Sequence, residues 1–300
     1  MYVRGSAMGV DLMAGATTTT ARLVTGRPPR VGVFDSGVGG LTVFAEIIRQ
    51  MPKAELIYIA DDAGFPYGPL SDKALIDRVL FVLEPLIESE RLDMVVIACN
   101  TASTLTLPVL RSRHYIPFVG TVPAIKTAAS LSRSRRVSVL ATPGTVARDY
   151  TRDLVSTHAS DCRVTLVGAA DLAAHAEAEM HGAPVSDSVI GAAIAPCFVS
   201  DEGGRTDAVV LACTHYPLLL ARFEALAPWP VTWINPAAAI ARRAATLAGE
   251  IDARGTVPPP RAIFTSGSAC PAAFRDVLLA GRQADTDASV LPEPSRIAAC

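Results

Sequence analysis

Nine short apolar runs, most of them continuous rather than alternating, limit what this chain can fold into more than any other feature. They span 31–34, 56–60, 94–98, 118–122, 137–141, 164–167, 208–212, 231–234 and 262–265. An alternating strand has one wet face, whereas a continuous apolar run marks a strand covered on both faces, as in a parallel sheet flanked by helices. Stretches of helical period separate the runs: Leu41, Phe44, Ile47, Ile48 and Met51 recur at that spacing, as do Leu218, Leu219, Arg222, Phe223 and Leu226. Strand–helix alternation over this length predicts an α/β fold with mainly parallel sheets, whose ligands gather beyond the carboxyl ends of the strands.

The chain also repeats itself. Val-Gly-Val-Phe-Asp-Ser-Gly at 31–37 is echoed by Val-Ser-Val-Leu-Ala-Thr-Pro-Gly at 137–144, and Leu-Ile-Tyr-Ile-Ala-Asp at 56–61 by Val-Thr-Leu-Val-Gly-Ala at 164–169. Likeness among buried strands is enough to account for those two pairs. A third, Val-Val-Ile-Ala-Cys-Asn-Thr at 95–101 and Val-Val-Leu-Ala-Cys-Thr-His at 209–215, continues beyond the apolar run into an Ala-Cys-polar-polar unit. The pattern predicts two similar α/β domains related by a pseudo-two-fold, with the active site in the cleft between them. Residues 1–29 read as an N-terminal extension outside the fold, disordered or upstream of the true start.

Composition enters by exclusion. The net charge is −2 and half of the residues are apolar, so the basic stripe of a nucleic-acid binder is missing. No apolar run approaches the ~18–20 residues that cross a bilayer, and residues 1–29 lack the apolar core of a secretory signal. A soluble, cytoplasmic protein with neither nucleic-acid nor membrane partners is the expectation. The six cysteines are scattered, with no C-x-x-C spacing, so neither a disulfide framework nor a metal site is expected. Cys162, Cys197, Cys270 and Cys300 read as small buried hydrophobes.

Cys99 and Cys213 differ from these, because each follows a buried strand and precedes a helix. Thr101 and Ser103 are placed to cap the helix after Cys99, and Pro217 suits the first position of the helix after Cys213. A thiol at a helix N-terminus feels the positive end of the macrodipole, which favours its thiolate below the free value of about 8.5. His215, two residues past Cys213, can take or supply a proton. Asp35 is either a solvated cap of the loop Asp35-Ser36-Gly37-Val38-Gly39-Gly40 or a partner for a substrate ammonium or the Cys99 proton. The glycines of that loop leave room for an anion at the helix N-terminus. Asp61 would suit a ribose contact, but Thr42 stands where a dinucleotide fingerprint has its third glycine. Pro66-Tyr67-Gly68 reads as a turn.

A pyridoxal-phosphate racemase needs a Schiff-base lysine. Lys53, Lys73 and Lys126 all lie away from the predicted strand ends, so a cofactor-free reaction is the simpler inference. Racemisation without a cofactor requires two bases facing each other across a carbon, one removing its proton and the other returning one from behind. A duplicated thiol site has that geometry.

Four segments, Val-Phe-Asp-Ser-Gly-Val-Gly-Gly-Leu-Thr-Val (33–43), Pro-Tyr-Gly (66–68), Ala-Cys-Asn-Thr-Ala-Ser (98–103) and Ala-Cys-Thr-His-Tyr-Pro-Leu-Leu (212–219), together resemble the glutamate racemase family of the aspartate/glutamate racemase superfamily. The likeness runs from about 31 to 267 and implies a second domain, 123–235, inserted in the first, 30–122 plus 236–300. It implies an isomerase that interconverts L- and D-glutamate without cofactor or metal and supplies D-glutamate to peptidoglycan, hence to cell-wall biogenesis and cell shape. It also implies that Cys99 serves D-glutamate and Cys213 L-glutamate, with Asp35 and His215 assisting on their own sides and Glu177 at the family's acidic position. Substrate contacts would fall on Asp35, Ser36, Tyr67, Gly68, Asn100, Thr101, Thr214 and His215, and a homodimer is expected. The chain departs from the family pattern at Asp62-Ala63-Gly64-Phe65, where Thr-Ala-Arg is usual, at Ala169-Ala170 for Cys-Pro, and at Asn235-Pro236 for Asp-Ser. Two other readings keep the same residues: a racemase of aspartate or a hydantoin, and a low-activity member acting as an interaction protein.

Overall fold

The computed structural model describes residues 26–252, 254, 256–268, 271, 272 and 275. Each of the nine apolar runs is a strand. In chain order the strands are β1 (Arg30–Asp35), β2 (Glu55–Ala60), β3 (Met94–Ile97), β4 (Phe118–Gly120), β5 (Arg136–Ala141), β6 (Arg163–Gly168), β7 (Ser200–Asp201), β8 (Gly204–Arg205), β9 (Ala208–Ala212), β10 (Thr232–Ile234) and β11 (Arg261–Phe264). The pair β7–β8 is a small antiparallel hairpin that no apolar run announces.

The other strands form two wholly parallel sheets, ordered β11-β2-β1-β3-β4 and β10-β9-β5-β6. The internal repeat is visible in this order, since β2-β1-β3-β4 in one sheet corresponds to β6-β5-β9-β10 in the other. Helices cover both faces of each sheet, which is why the strands are apolar throughout. On the first sheet, Phe44, Ile47 and Ile48 of helix Leu41–Gln50 pack with Ile240, Ala241 and Ala244 of helix Ala237–Ala248. Leu75, Val79 and Leu83 of helix Asp72–Ser89 cover the opposite face with Leu107 and Leu110 of helix Asn100–Arg113. The second sheet is clad by helices Leu172–Met180, Asp187–Ile194 and Leu220–Leu226 on one side and Ile125–Leu131 on the other.

Several local expectations are corrected. The helical stretch after Cys213 enters as a 3-10 turn, Tyr216–Leu219, with Pro217 at its second position rather than its first. The helix after Cys99 begins at Asn100 with no side-chain cap. Thr101 and Ser103 lie inside it, and Ser103 Oγ donates to the Ile97 carbonyl while accepting from the Thr121 N–H. Cys197 is buried, but Cys162 is only half-buried, since it directly precedes β6, an edge strand. Cys270 and Cys300 lie outside the described residues, as do residues 1–25 of the predicted extension. Arg27 is tied to the fold through two hydrogen bonds to Asp93, at 2.8 and 2.9 Å. Among the described residues no helix is long and apolar enough to cross a membrane.

Candidate active site

Parallel pairing sets the strand ends level. Phe34 lies opposite Ile97 and Ala141 opposite Ala212. Ser36 and Cys99 therefore leave adjacent strands side by side, and Thr142 and Cys213 do the same in the other sheet. A small cavity of about 100 Å³ lies at these ends, lined from the predicted set by Ser36, Tyr67, Gly68, Cys99, Asn100, Thr101, Cys213, Thr214 and His215. Both thiols thus face one cavity. Asp35 and Glu177 do not line it; they stand behind the wall.

Cys99 is buried, with Ser36 Oγ 3.8 Å from its sulfur. Burial, and then the nearby Asp35 carboxylate, push its thiol up to about 12, beyond what the Ala102 N–H and Ser36 hydroxyl restore. The expected helix-terminus depression is therefore reversed at this cysteine: desolvation outweighs a partial charge. Asp35 is fully buried, which removes the solvated-cap reading. It accepts from the Gly37 N–H at 3.0 Å and the Thr214 hydroxyl at 2.9 Å, and burial raises its pKa.

Cys213 has a different partner. His215 Nδ1 lies 3.9 Å from its sulfur, and His215 Nε2 is 2.6 Å from Glu177 Oε2. Burial presses the imidazole downward, but its bonds with Cys213 and Glu177 more than offset this and lift it well above the ordinary histidine range. Burial alone would raise Glu177; its bonds to His215 and to the Val38 N–H hold it below its usual value instead.

The glycine-rich loop serves this pair. A Cβ on Gly37 would sit 2.7 Å from Glu177 Oε2, and one on Gly39 would sit 2.2 Å from His215 Nδ1. Before helix Leu41–Gln50 the Val38 N–H donates to the protein's own Glu177 and the Gly37 N–H to Asp35, so the loop is no phosphate cradle. Asp61 is occupied as well, accepting from Arg78 Nε at 2.8 Å and Thr265 Oγ1 at 2.7 Å. Tyr67 also directs its hydroxyl to Asp61, away from the cavity. The dinucleotide reading has no free residues left.

The most telling cavity residue is Asn100. It is buried, and neither its amide oxygen nor its amide nitrogen has a partner. A polar group left unmade in the interior costs about 1–3 kcal/mol, so this amide marks where a polar ligand would bind. Sequence reasoning missed Thr142, whose hydroxyl is 3.2 Å from that of Thr101, and Phe65, whose ring lies tilted against His215 with centroids 5.3 Å apart. The repeat held a signal for Thr142, which stands where Ser36 stands in the first half; Phe65, in one of the departures from the family pattern, had none.

The sequence profile of the Asp/Glu/Hydantoin racemase family matches residues 32–244. The chain belongs to that family. Among its relatives, the glutamate racemase of Agrobacterium fabrum is 52% identical over 246 residues, covering 78% of this chain and 87% of the relative. That of Brucella anthropi is 55% identical over 216 residues, covering 72% and 78%. A structure of Escherichia coli glutamate racemase with L-glutamate and the activator UDP-MurNAc-Ala superposes with a TM-score of 0.74 at 38% identity, covering 85% of this chain and 94% of that one. Family membership thus accounts for the paired α/β halves.

Proposed function

We propose that this racemase interconverts L- and D-glutamate, without a cofactor, by proton transfer between two thiols. The observation that carries the reading is that Cys99 and Cys213 line one small cavity, each with its own buried proton-handling partner. The names of the relatives favour glutamate over aspartate or a hydantoin. Cys99 and Cys213 face opposite sides of the α-carbon: one takes its proton while the other supplies one, so the C–H bond broken on one face is replaced on the other. Asp35 serves the Cys99 side, and His215 with Glu177 the Cys213 side. Burial and Asp35 oppose ionisation of the Cys99 thiol, and the substrate ammonium brings positive charge that favours it. Asn100, Thr101 and Thr214 hold the polar ends of the substrate, Tyr67 and Gly68 through their main chain, and Asp35 acts through Thr214.

The wider reading follows from this one: a cytoplasmic enzyme that supplies D-glutamate for peptidoglycan and works as a homodimer, with domain boundaries near 122/123 and 235/236. In deuterated water the wild type should exchange the α-hydrogen of either enantiomer as it inverts it. Cys99→Ala and Cys213→Ala should each stop inversion, and each should keep exchange only for the enantiomer facing the remaining thiol. Undiminished inversion in both variants would refute the two-thiol reading, and a preference for aspartate in a substrate panel would refute the choice of glutamate.

A further inference from the structure

The two halves meet across the cavity at two seams. One, on the Cys213 side, carries the bonds Thr214–Asp35 and Val38–Glu177 already described. The other, on the Cys99 side, joins the turn at 142–148 of the second half to the first turns of helix Asn100–Arg113. There the hydroxyls of Thr101, Thr142 and Thr145 lie 3.0–3.4 Å apart, and Arg148 stands beside them. A single nitrogen of Arg148 donates to the Thr101 carbonyl at 2.9 Å and to Thr104 Oγ1 at 2.8 Å.

This placement is hard to explain as stabilisation alone. The Arg148 side chain is only 13% exposed, and the nearest carboxylate, Asp72, is 3.6 Å away and 70% exposed. A cation beside the first turn of a helix also opposes the macrodipole, which favours anions there. The guanidinium reaches the stretch of helix that carries Cys99 at its cap position and Thr101 in the cavity wall.

We propose that Arg148 is a positioning residue for the reaction: by clasping Thr101 and Thr104 to the second half it sets the distance at which Cys99 faces the α-carbon. It acts through the helix and does not touch the substrate. The inference rests on the racemase reading above. An error of about 1 Å in the placement of reacting groups costs on the order of 10²-fold in rate, so a clasp of this kind acts on kcat more than on KM.

The test uses Arg148→Met, Arg148→Lys and Thr104→Val in the full chain, with inversion followed in both directions. Arg148→Met should lower kcat between ~10-fold and ~100-fold with KM changed less than ~3-fold. Lysine offers one nitrogen of the same charge to the same two oxygens, so Arg148→Lys should recover most of the loss. Because Thr104 is one of those two acceptors, adding Thr104→Val to Arg148→Met should cause little further loss. If Arg148→Met does not fold, Thr104→Val decides alone, with an expected ~3-fold to ~10-fold fall in kcat at unchanged KM. A rise in KM at constant kcat would overturn the proposal by making Arg148 an electrostatic attractor for anionic substrate. Equal losses in the methionine and lysine variants, or additive losses with Thr104→Val, would also overturn it. A wild-type chain that inverts neither enantiomer would refute the racemase reading and this proposal with it. Unchanged kinetics in every variant of an active wild type would refute this proposal alone.

Discussion

Gly39→Ala tests the site at its tightest contact. Gly39 does not need a left-handed backbone, so alanine is acceptable to the chain itself; the obstacle is His215. The added Cβ would lie 2.2 Å from Nδ1 and 2.6 Å from both Cγ and Cε1 of the imidazole, where 3.4 Å is ordinary contact. The ring must retreat by about 1 Å, a displacement worth about 10²-fold in rate at a reacting centre. Its 3.9 Å contact with the Cys213 sulfur is already long for a hydrogen bond and would be lost. Glu177 holds the far side of the ring, so a clean shift is opposed and overpacking of about 1–3 kcal/mol should appear in urea unfolding. Polarimetry on each enantiomer should show inversion reduced by about 10²–10³-fold in a folded variant. Exchange of the α-hydrogen of D-glutamate in deuterated water, which depends on Cys99, should be spared relative to that of L-glutamate. Gly39→Ala within a few-fold of wild type would mean that the His215–Cys213 contact is idle, and the roles assigned to His215 and Glu177 would fall with it.

The Glu177–His215 pair predicts a pH window for stability. Glu177 is held below its usual pKa, so its contribution is present above the unfolded value and lost as pH falls through the lowered folded one; His215 is raised, so its contribution is present below its unfolded value and lost as pH rises through the raised one. Unfolding free energies from urea titrations of Glu177→Gln should lie below wild type by about 3 kcal/mol inside that window and converge on it at alkaline pH; a constant difference at every pH would refute the linkage. Asp61→Asn should destabilise by about 2 kcal/mol, less than for a fully buried pair because Arg78 is 29% exposed, and should raise KM by loosening Tyr67 and its loop. Thermal melts and saturation curves measure both, and an unchanged KM would separate Asp61 from the substrate loop.

Much of the architecture was legible because the strands are buried on both faces. That condition prints a continuous apolar run into the sequence, and all nine runs are strands. The hairpin β7–β8 is two residues per strand, too short for any period to show, and Pro217 enters a 3-10 turn that the helical spacing of Leu218, Leu219 and Phe223 does not distinguish from an α-helix. The paired cysteines were legible because the repeat extends past the apolar run. The surroundings of each sulfur were not. Local sequence places Cys99 at a helix N-terminus, but its high pKa follows from burial and from Asp35, 64 positions earlier in the chain. The glycines at 37 and 39 were seen to make room for something, and only the long-range approach of Glu177 and His215 shows what fills it.

The duplicated units have not stayed equivalent, and the topology shows where they part. In the first half, β1 ends in Asp35 beside the strand leading to Cys99; at the same place in the second half, β5 ends in Ala141 beside the strand leading to Cys213. An alanine handles no proton, so Cys213 depends on His215, which comes from its own loop and is braced by Glu177 from helix Leu172–Met180. The substitution has an electrostatic consequence. Asp35 adds negative charge next to a buried thiol and opposes its ionisation, whereas His215, lifted well above its ordinary range, places a proton donor next to the other. The Cys99 side consequently depends more on the incoming ammonium, and the Cys213 side on groups the protein already holds. Removing the brace, as in Glu177→Gln, should therefore slow proton abstraction from L-glutamate more than from D-glutamate, and deuterium exchange measured separately on the two enantiomers would show equal slowing if the asymmetry had no bearing on the chemistry.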